Sequence, residues 1–220
     1  MGNVRPEQLL LYAVTDRTWL GERLLPDAVR DAVAAGATFV QLREKRASYE
    51  QKVALAREIA PICRAAGVPF VIDDDIDVAI ASGADGVHVG QDDVACAEAR
   101  RRLGADAIVG VSAHNVAEAR AAQAAGADYL GSGALVATAT KGDATPLAPA
   151  ELAAICAAVD IPVVGIGGLN AQNIPRFAGL GCAGAAVVSA IFAAPDVTQA
   201  TRELRAICER TFASAGRGTA

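Results

Sequence analysis

The chain has 220 residues, 53% of them hydrophobic and 4% aromatic, with a formal net charge of −5. That is about the length of one barrel domain or two small ones, and the aliphatic composition argues against disorder. The acidic balance disfavours nucleic acid or a membrane surface as a general partner, so positive charge for an anionic ligand must be local. No apolar run approaches the ~18 residues of a membrane span. Residues 1–7 are polar and lack a signal-peptide core. The five cysteines, Cys63, Cys96, Cys156, Cys182 and Cys208, are scattered without metal-type pairs. They read as small apolar residues of a reduced, cytoplasmic protein.

One pattern recurs about every 20 to 30 residues, the length of a βα unit. A β-branched, apolar run ends in polar or glycine residues, and an Ala-rich helical stretch follows. Strands are predicted over 9–16, 38–45, 69–74, 86–91, 107–114, 128–134, 162–168 and 184–189. Their runs are too continuous for half-exposed antiparallel strands and suit parallel strands buried on both faces. Helices are predicted over 26–35, 49–66, 94–103, 116–125, 149–159, 171–180 and 197–212, with a single short turn near 76–81. Ser48 and Asn115 read as N-caps, and Gly36, Gly67, Gly104 and Gly126 as helix stops. Residues 213–220 read as a frayed tail. A signature recurs before several strands: AGAT at 35–38, SGAD at 82–85, AGAD at 125–128 and LGCA at 180–183. Each reads as a glycine stop feeding a strand. Eight even units, with phosphate-type glycines late in the chain, favour a single (β/α)8 TIM barrel over a doubly wound sheet. One domain over 1–220 is expected, with a short N-terminal extension.

A barrel carries its chemistry where the strands end. In the second strand, alternation places Gln41, Arg43 and Lys45 on one face, suited to a phosphate or diphosphate. The alternative is a surface strand end with salt bridges to helix carboxylates. The third strand ends in Asp73-Asp74-Asp75, with Asp77 nearby, and the fourth in Gln91-Asp92-Asp93. One carboxylate from each cluster, with substrate phosphates, suits Mg²⁺. Asp75 and Asp92 read as helix caps. Ser112 can donate to an oxyanion or ring nitrogen. His114 is a base, a cap or a packed imidazole, and no third triad member accompanies the two. The long polar loop with Thr138, Thr140 and Lys141 reads as a lid or clamp, or as a merely flexible loop. Gly165-Ile166-Gly167-Gly168 and Val188-Ser189 end strands seven and eight, where barrels hold phosphate through backbone N–H groups.

In order, QLREK (41–45), Asp74 and Asp93 around GADGVHVGQDD (83–93), GVSAH (110–114), TATK (138–141), GIGG (165–168) and VSAI (188–191) resemble the thiamine phosphate synthase family. The likeness runs from Tyr12 to Phe192. It implies a β/α barrel that joins a hydroxymethylpyrimidine diphosphate to a hydroxyethylthiazole phosphate, releasing pyrophosphate with Mg²⁺ bound. It implies that Gln41, Arg43, Lys45, Ser112 and Lys141 hold the pyrimidine diphosphate. Asp74 and Asp93 would hold Mg²⁺, and Thr138, Thr140, Gly168, Val188 and Ser189 the thiazole phosphate. The implied mechanism is dissociative and needs no protein nucleophile. Two departures stand out. Asp73 takes a position that is usually Asn in the family and contacts the diphosphate. Residues 134–137 lack the usual prolines and aromatic, which is expected to loosen the loop before Thr138. Two other readings share the barrel: a thiazole tautomerase, which would use His114, and a non-catalytic binder of thiamine-pathway phosphates. An isomerase or aldolase lacks an evident lysine or glutamate base.

Overall fold

The computed structural model describes residues 3–90, 96–136 and 146–212. Eight parallel strands close into a barrel in sequence order: β1 (Leu11–Val14), β2 (Phe39–Leu42), β3 (Phe70–Asp73), β4 (Gly86–Val89), β5 (Ile108–Ser112), β6 (Tyr129–Ser132), β7 (Val163–Ile166) and β8 (Gly184–Val187). β8 pairs with β1, Leu11 against Ala185, which closes the ring. The helices are α1 (Leu25–Ala35), α2 (Tyr49–Ala65), α3 (Ile76–Ser82), α4 (Cys96–Leu103), α5 (Val116–Ala124), α6 (Pro149–Ala158), α7 (Ser189–Phe192) and α8 (Val197–Phe212). The barrel expected from the sequence is therefore present, with each predicted strand trimmed at one or both ends.

Strand alternation divides the apolar residues into two cores. Leu11, Ala13, Val40, Leu42, Phe70 and Ile72 face outward into the layer shared with the helices. Tyr12, Val14, Phe39, Val71, Ile108, Tyr129 and Val164 fill the inside of the barrel. Val4 and Leu9 join this inner core. The short N-terminal segment, with its 3₁₀ turn Pro6–Leu9, contributes side chains to that core.

The repeated pre-strand signature has a physical cause. Thr38, Asp85 and Asp128 each donate a backbone N–H to the carbonyl of the first or second residue of the preceding strand, Leu11, Phe70 and Val109, at 2.8 Å. Each side chain then accepts the backbone N–H of that same residue, at 2.9, 2.8 and 2.8 Å. Two hydrogen bonds per position fix the stagger between neighbouring strands. Gly36, Gly83 and Gly126 precede these positions with φ of 114°, 69° and 95°, conformations that glycine adopts without a Cβ penalty.

Helix starts follow the sequence signals. Ser48 and Gln51 form a capping box at α2, and Asn115 and Asp75 accept N–H groups of α5 and α3. Two expectations change. Residues 76–81 are not a single turn, because α3 runs for seven residues. The helix expected over 171–180 is only a 3₁₀ turn, Ile174–Phe177. Asn170 Oδ1 accepts the N–H groups of Gln172 and Asn173 at 3.0 and 3.2 Å, which competes with a helical start. Pro175 also restricts the residue before it. Ser189, expected at the end of a strand, begins the short α7.

Candidate active site

All eight strand ends contribute to one cleft at the C-terminal mouth of the barrel. Its lining includes Val14, Gln41, Arg43, Asp73, His88, Ser112, Gly133, Gly168 and Ser189. The alternation that buries Phe39 inward carries Gln41 and Arg43 to the same side, two and four residues later. Gln41 is 4% exposed, and its Nε2 has no hydrogen-bond partner among the described residues. A buried amide donor left unpaired costs about 1–3 kcal/mol, so its position beside the cleft marks a place for an acceptor on a ligand.

Arg43 is anchored through its backbone, whose N–H donates to Thr15 Oγ1 at 3.0 Å. Its Nε lies 3.8 Å from Asp73 Oδ2. β2 ends at Leu42, and beyond it Arg43 and Lys45 both border an adjoining groove with Arg17 and Trp19. The Lys45 ammonium lies 3.1 Å from Asp73 Oδ2, the oxygen that Arg43 faces, and pairs with Asp74. Burial opposes the Lys45 charge, but the two carboxylates outweigh it and raise its pKa. Asp73 is pushed up to about 6, first by desolvation and then by the charge of Asp74, with Lys45 and Arg43 pulling the other way.

Asp74 has φ of 63°, a left-handed conformation uncommon outside glycine, asparagine and aspartate. It is held there between Asp74 N–H to His88 O at 2.9 Å and Asp75 N–H to Asp73 O at 2.9 Å. Backbone strain of this kind concentrates at functional sites. Asp75 turns away to cap α3 and pairs with Lys52, as its reading as a cap implies. Among the described residues no group of three or more His, Cys, Asp or Glu side chains forms a metal cage. Mg²⁺ does not demand one, since it is usually held by one or two carboxylates, substrate phosphates and water. The hard oxygens of Asp74 and Asp73 fit that chemistry.

Gly167 and Gly168 have φ of 96° and 68°. A Cβ on Gly168 would stand 2.7 Å from Val136 O, and one on Gly167 2.6 Å from Ala134 Cα. The glycines admit the chain leaving β6, which bonds back to β7 through Leu135 N–H to Ile166 O at 2.9 Å and Val136 N–H to Gly167 O at 3.0 Å. Residues 134–136 are therefore tied to β7, and the rest of the stretch before Thr138 lies outside the described residues. Val188 and Ser189 complete that side of the cleft. Asp92, Asp93, Thr138, Thr140 and Lys141 lie outside the described residues.

His114 sits at the mouth, with Nδ1 3.1 Å from Glu118 Oε2, while its N–H donates to the same carboxylate at 2.7 Å. It therefore serves the start of α5. The histidine that touches Ser112 is His88, whose Nε2 is 3.1 Å from Ser112 Oγ. Its Nδ1 is 2.9 Å from Tyr129 Oη, which is 2.8 Å from Tyr12 Oη. Burial raises the pKa of both phenols and keeps them protonated. His88 is not among the candidate residues named from the sequence, although its place between the outward Val87 and Val89 marks it as inward.

Comparison with known proteins is consistent with this geometry. Residues 11–191 match the family model described as thiamine monophosphate synthase. The chain belongs to the thiamine monophosphate synthase family. A thiamine-phosphate synthase of Chloroflexus aurantiacus is 48% identical, over 91% of this chain and 93% of that one. A thiamine-phosphate synthase of Moorella thermoacetica is 45% identical, over 91% and 96%. Among solved structures, a thiamine phosphate pyrophosphorylase from Pyrococcus furiosus superposes with a TM-score of 0.86 at 36% identity, over 94% of this chain and 98% of that one. Membership in the thiamine monophosphate synthase family makes the chain an enzyme of the synthase type. No helix among the described residues is long and apolar enough to cross a membrane.

Proposed function

We propose that the chain couples a hydroxymethylpyrimidine diphosphate to a hydroxyethylthiazole phosphate, giving thiamine phosphate and pyrophosphate. The observation that carries this reading is the set Gln41, Arg43, Asp73 and Ser112, gathered at the cleft with Lys45 and Asp74 alongside, in a chain of this family. Arg43 and Lys45, with Lys141 assigned from the sequence, suit a diphosphate. Gly168, Val188 and Ser189, with Thr138 and Thr140 from the sequence, suit the monophosphate. Asp74 and Asp93 would hold Mg²⁺, which when bound neutralises phosphate charge.

The reaction balances without a protein nucleophile. The carbon–oxygen bond to the diphosphate breaks, and its electron pair leaves with pyrophosphate. The thiazole nitrogen then supplies the pair for the new carbon–nitrogen bond, and no proton is transferred. The cations of Arg43 and Lys45 act where negative charge accumulates, on the leaving group. Ser112 suits a polar atom of the pyrimidine, and Gln41 supplies the unpaired donor noted above.

Incubation with both phosphates and Mg²⁺ tests the reading. Thiamine phosphate is the expected product. Isomerised thiazole phosphate without coupling would instead indicate a tautomerase working through His114, and binding without turnover would indicate a sensor. Either result overturns the synthase reading.

A further inference from the structure

Three hydrogen bonds run in series from the barrel interior to the cleft: Tyr12 Oη to Tyr129 Oη at 2.8 Å, Tyr129 Oη to His88 Nδ1 at 2.9 Å, and His88 Nε2 to Ser112 Oγ at 3.1 Å. Burial assigns the protons along this series. Tyr12 is 2% exposed and Tyr129 is fully buried, and neither phenol makes another hydrogen bond among the described residues. If the imidazole carries its proton on Nε2, Tyr12 donates to Tyr129, Tyr129 donates to Nδ1, and Nε2–H donates to Ser112. Every proton in the series then has an acceptor. If the proton is on Nδ1, both Nδ1–H and Tyr12 compete for Tyr129, and one buried phenol is left without an acceptor. An imidazolium has the same fault. An unsatisfied buried hydroxyl costs about 1–3 kcal/mol, which decides the tautomer.

The barrel is shaped around this series. A Cβ on Gly110 would stand 2.2 Å from the Tyr129 ring, and one on Gly131 would stand 3.1 Å from His88 Cε1. Phe39 wedges against both phenols, with ring centroids 4.6 Å from Tyr12 and 5.4 Å from Tyr129.

We propose that Tyr129, backed by the Tyr12 phenol, is the positioning residue that holds His88 as the Nε2–H tautomer, so that Ser112 meets the pyrimidine as a hydrogen-bond donor. With its oxygen accepting from His88, the Ser112 hydroxyl directs its own proton away from the imidazole. The group it recognises is then an acceptor, such as an unprotonated ring nitrogen, and not an exocyclic amine. The tautomer follows from the structure alone, while the ligand it selects rests on the synthase reading.

Side-chain ¹⁵N NMR of the ligand-free protein, in chelator at neutral pH, tests the tautomer separately from activity. The chain has two histidines, and His114→Gln assigns the signals. The expected result is an N–H type shift at His88 Nε2 and a lone-pair type shift at Nδ1. Tyr129→Phe should lose that single signature and raise KM for the pyrimidine diphosphate about tenfold. Tyr12→Phe should keep the tautomer, because Tyr129 still donates to Nδ1. An Nδ1–H tautomer or an imidazolium in the unaltered protein overturns the proposal, as does a Tyr129→Phe protein with an unchanged tautomer. Should Tyr129→Phe fail to fold, the measurement on the unaltered protein decides. The expected tautomer in a protein that makes no thiamine phosphate would sink the synthase reading and leave the tautomer assignment standing.

Discussion

Lys45 Nζ lies 3.1 Å from Asp73 Oδ2, and Arg43 Nε lies 3.8 Å from the same oxygen. One carboxylate thus engages both described cations assigned to the diphosphate. A ligand must compete with Asp73 for them. In Asp73→Asn that competition disappears, and KM for the pyrimidine diphosphate should fall about fivefold, the worth of roughly 1 kcal/mol for a partly exposed ion pair. Steady-state kinetics with saturating thiazole phosphate checks this, and an unchanged or higher KM contradicts it.

The same carboxylate makes stability depend on pH. Its pKa in the folded chain is pushed up to about 6 from an ordinary 3.8, mainly by desolvation and by Asp74. A raised carboxyl pKa means that the folded protein holds the proton more tightly than the unfolded one. This contribution is full below pH 3.8 and is lost as pH rises through about 6. Melting temperatures in chelator should therefore show the unaltered protein losing ground against Asp73→Asn between those values. A constant difference would contradict the assignment.

Asp74 is the described member of the proposed Mg²⁺ pair. Asparagine tolerates a φ of 63° nearly as well as aspartate, so Asp74→Asn should fold with an unchanged melting temperature. Loss of a charged ligand should raise the Mg²⁺ concentration for half-maximal turnover at least about tenfold. A metal titration of activity reads this directly, and an unshifted midpoint removes Asp74 from the metal site.

Much of the fold was legible because the continuous apolar runs of buried parallel strands recur between Ala-rich helices that end at glycine. Gln41 and Arg43 line the cleft as the alternation of β2 suggests. Lys45 does not line it, since the ladder stops at Leu42, but it meets the same Asp73 oxygen as Arg43. The 171–180 segment misled because Ala, Leu and Phe spacing suggests a helix, while Asn170 and Pro175 act locally against one. His88 was hidden in an apolar strand, where a lone histidine resembles a packed core residue. Its role emerges only when the inward rings of β4 and β6 are seen to touch.

Gly168 offers a steric test of the other side of the cleft. Gly168→Ala places a methyl 2.7 Å from Val136 O at a φ of 68°. The expected cost is about 1–3 kcal/mol, read by urea denaturation, together with a higher KM for the thiazole phosphate. A variant as stable as the original and with the same KM would mean that the 134–136 segment yields freely.

Asp128 separates stability from chemistry. It is 5% exposed, pairs with Arg100 at 2.6 Å and accepts the N–H groups of Val109 and Asn3. Removing one partner of such a pair costs about 3–5 kcal/mol. Asp128→Ala should lower stability by that order in chemical denaturation, while kcat per folded molecule stays the same. A large kcat loss in fully folded protein would contradict a purely structural role.

In the proposed reaction one cleft breaks a diphosphate ester and joins its carbon to a thiazole nitrogen. ³¹P NMR of the protein with both substrates and Mg²⁺ follows every phosphorus at once. One pyrophosphate is expected for each thiamine phosphate formed, and no pyrophosphate beyond a single turnover when the thiazole phosphate is withheld. Continuous pyrophosphate release without the thiazole, or a rearranged thiazole phosphate with the diphosphate intact, would contradict it.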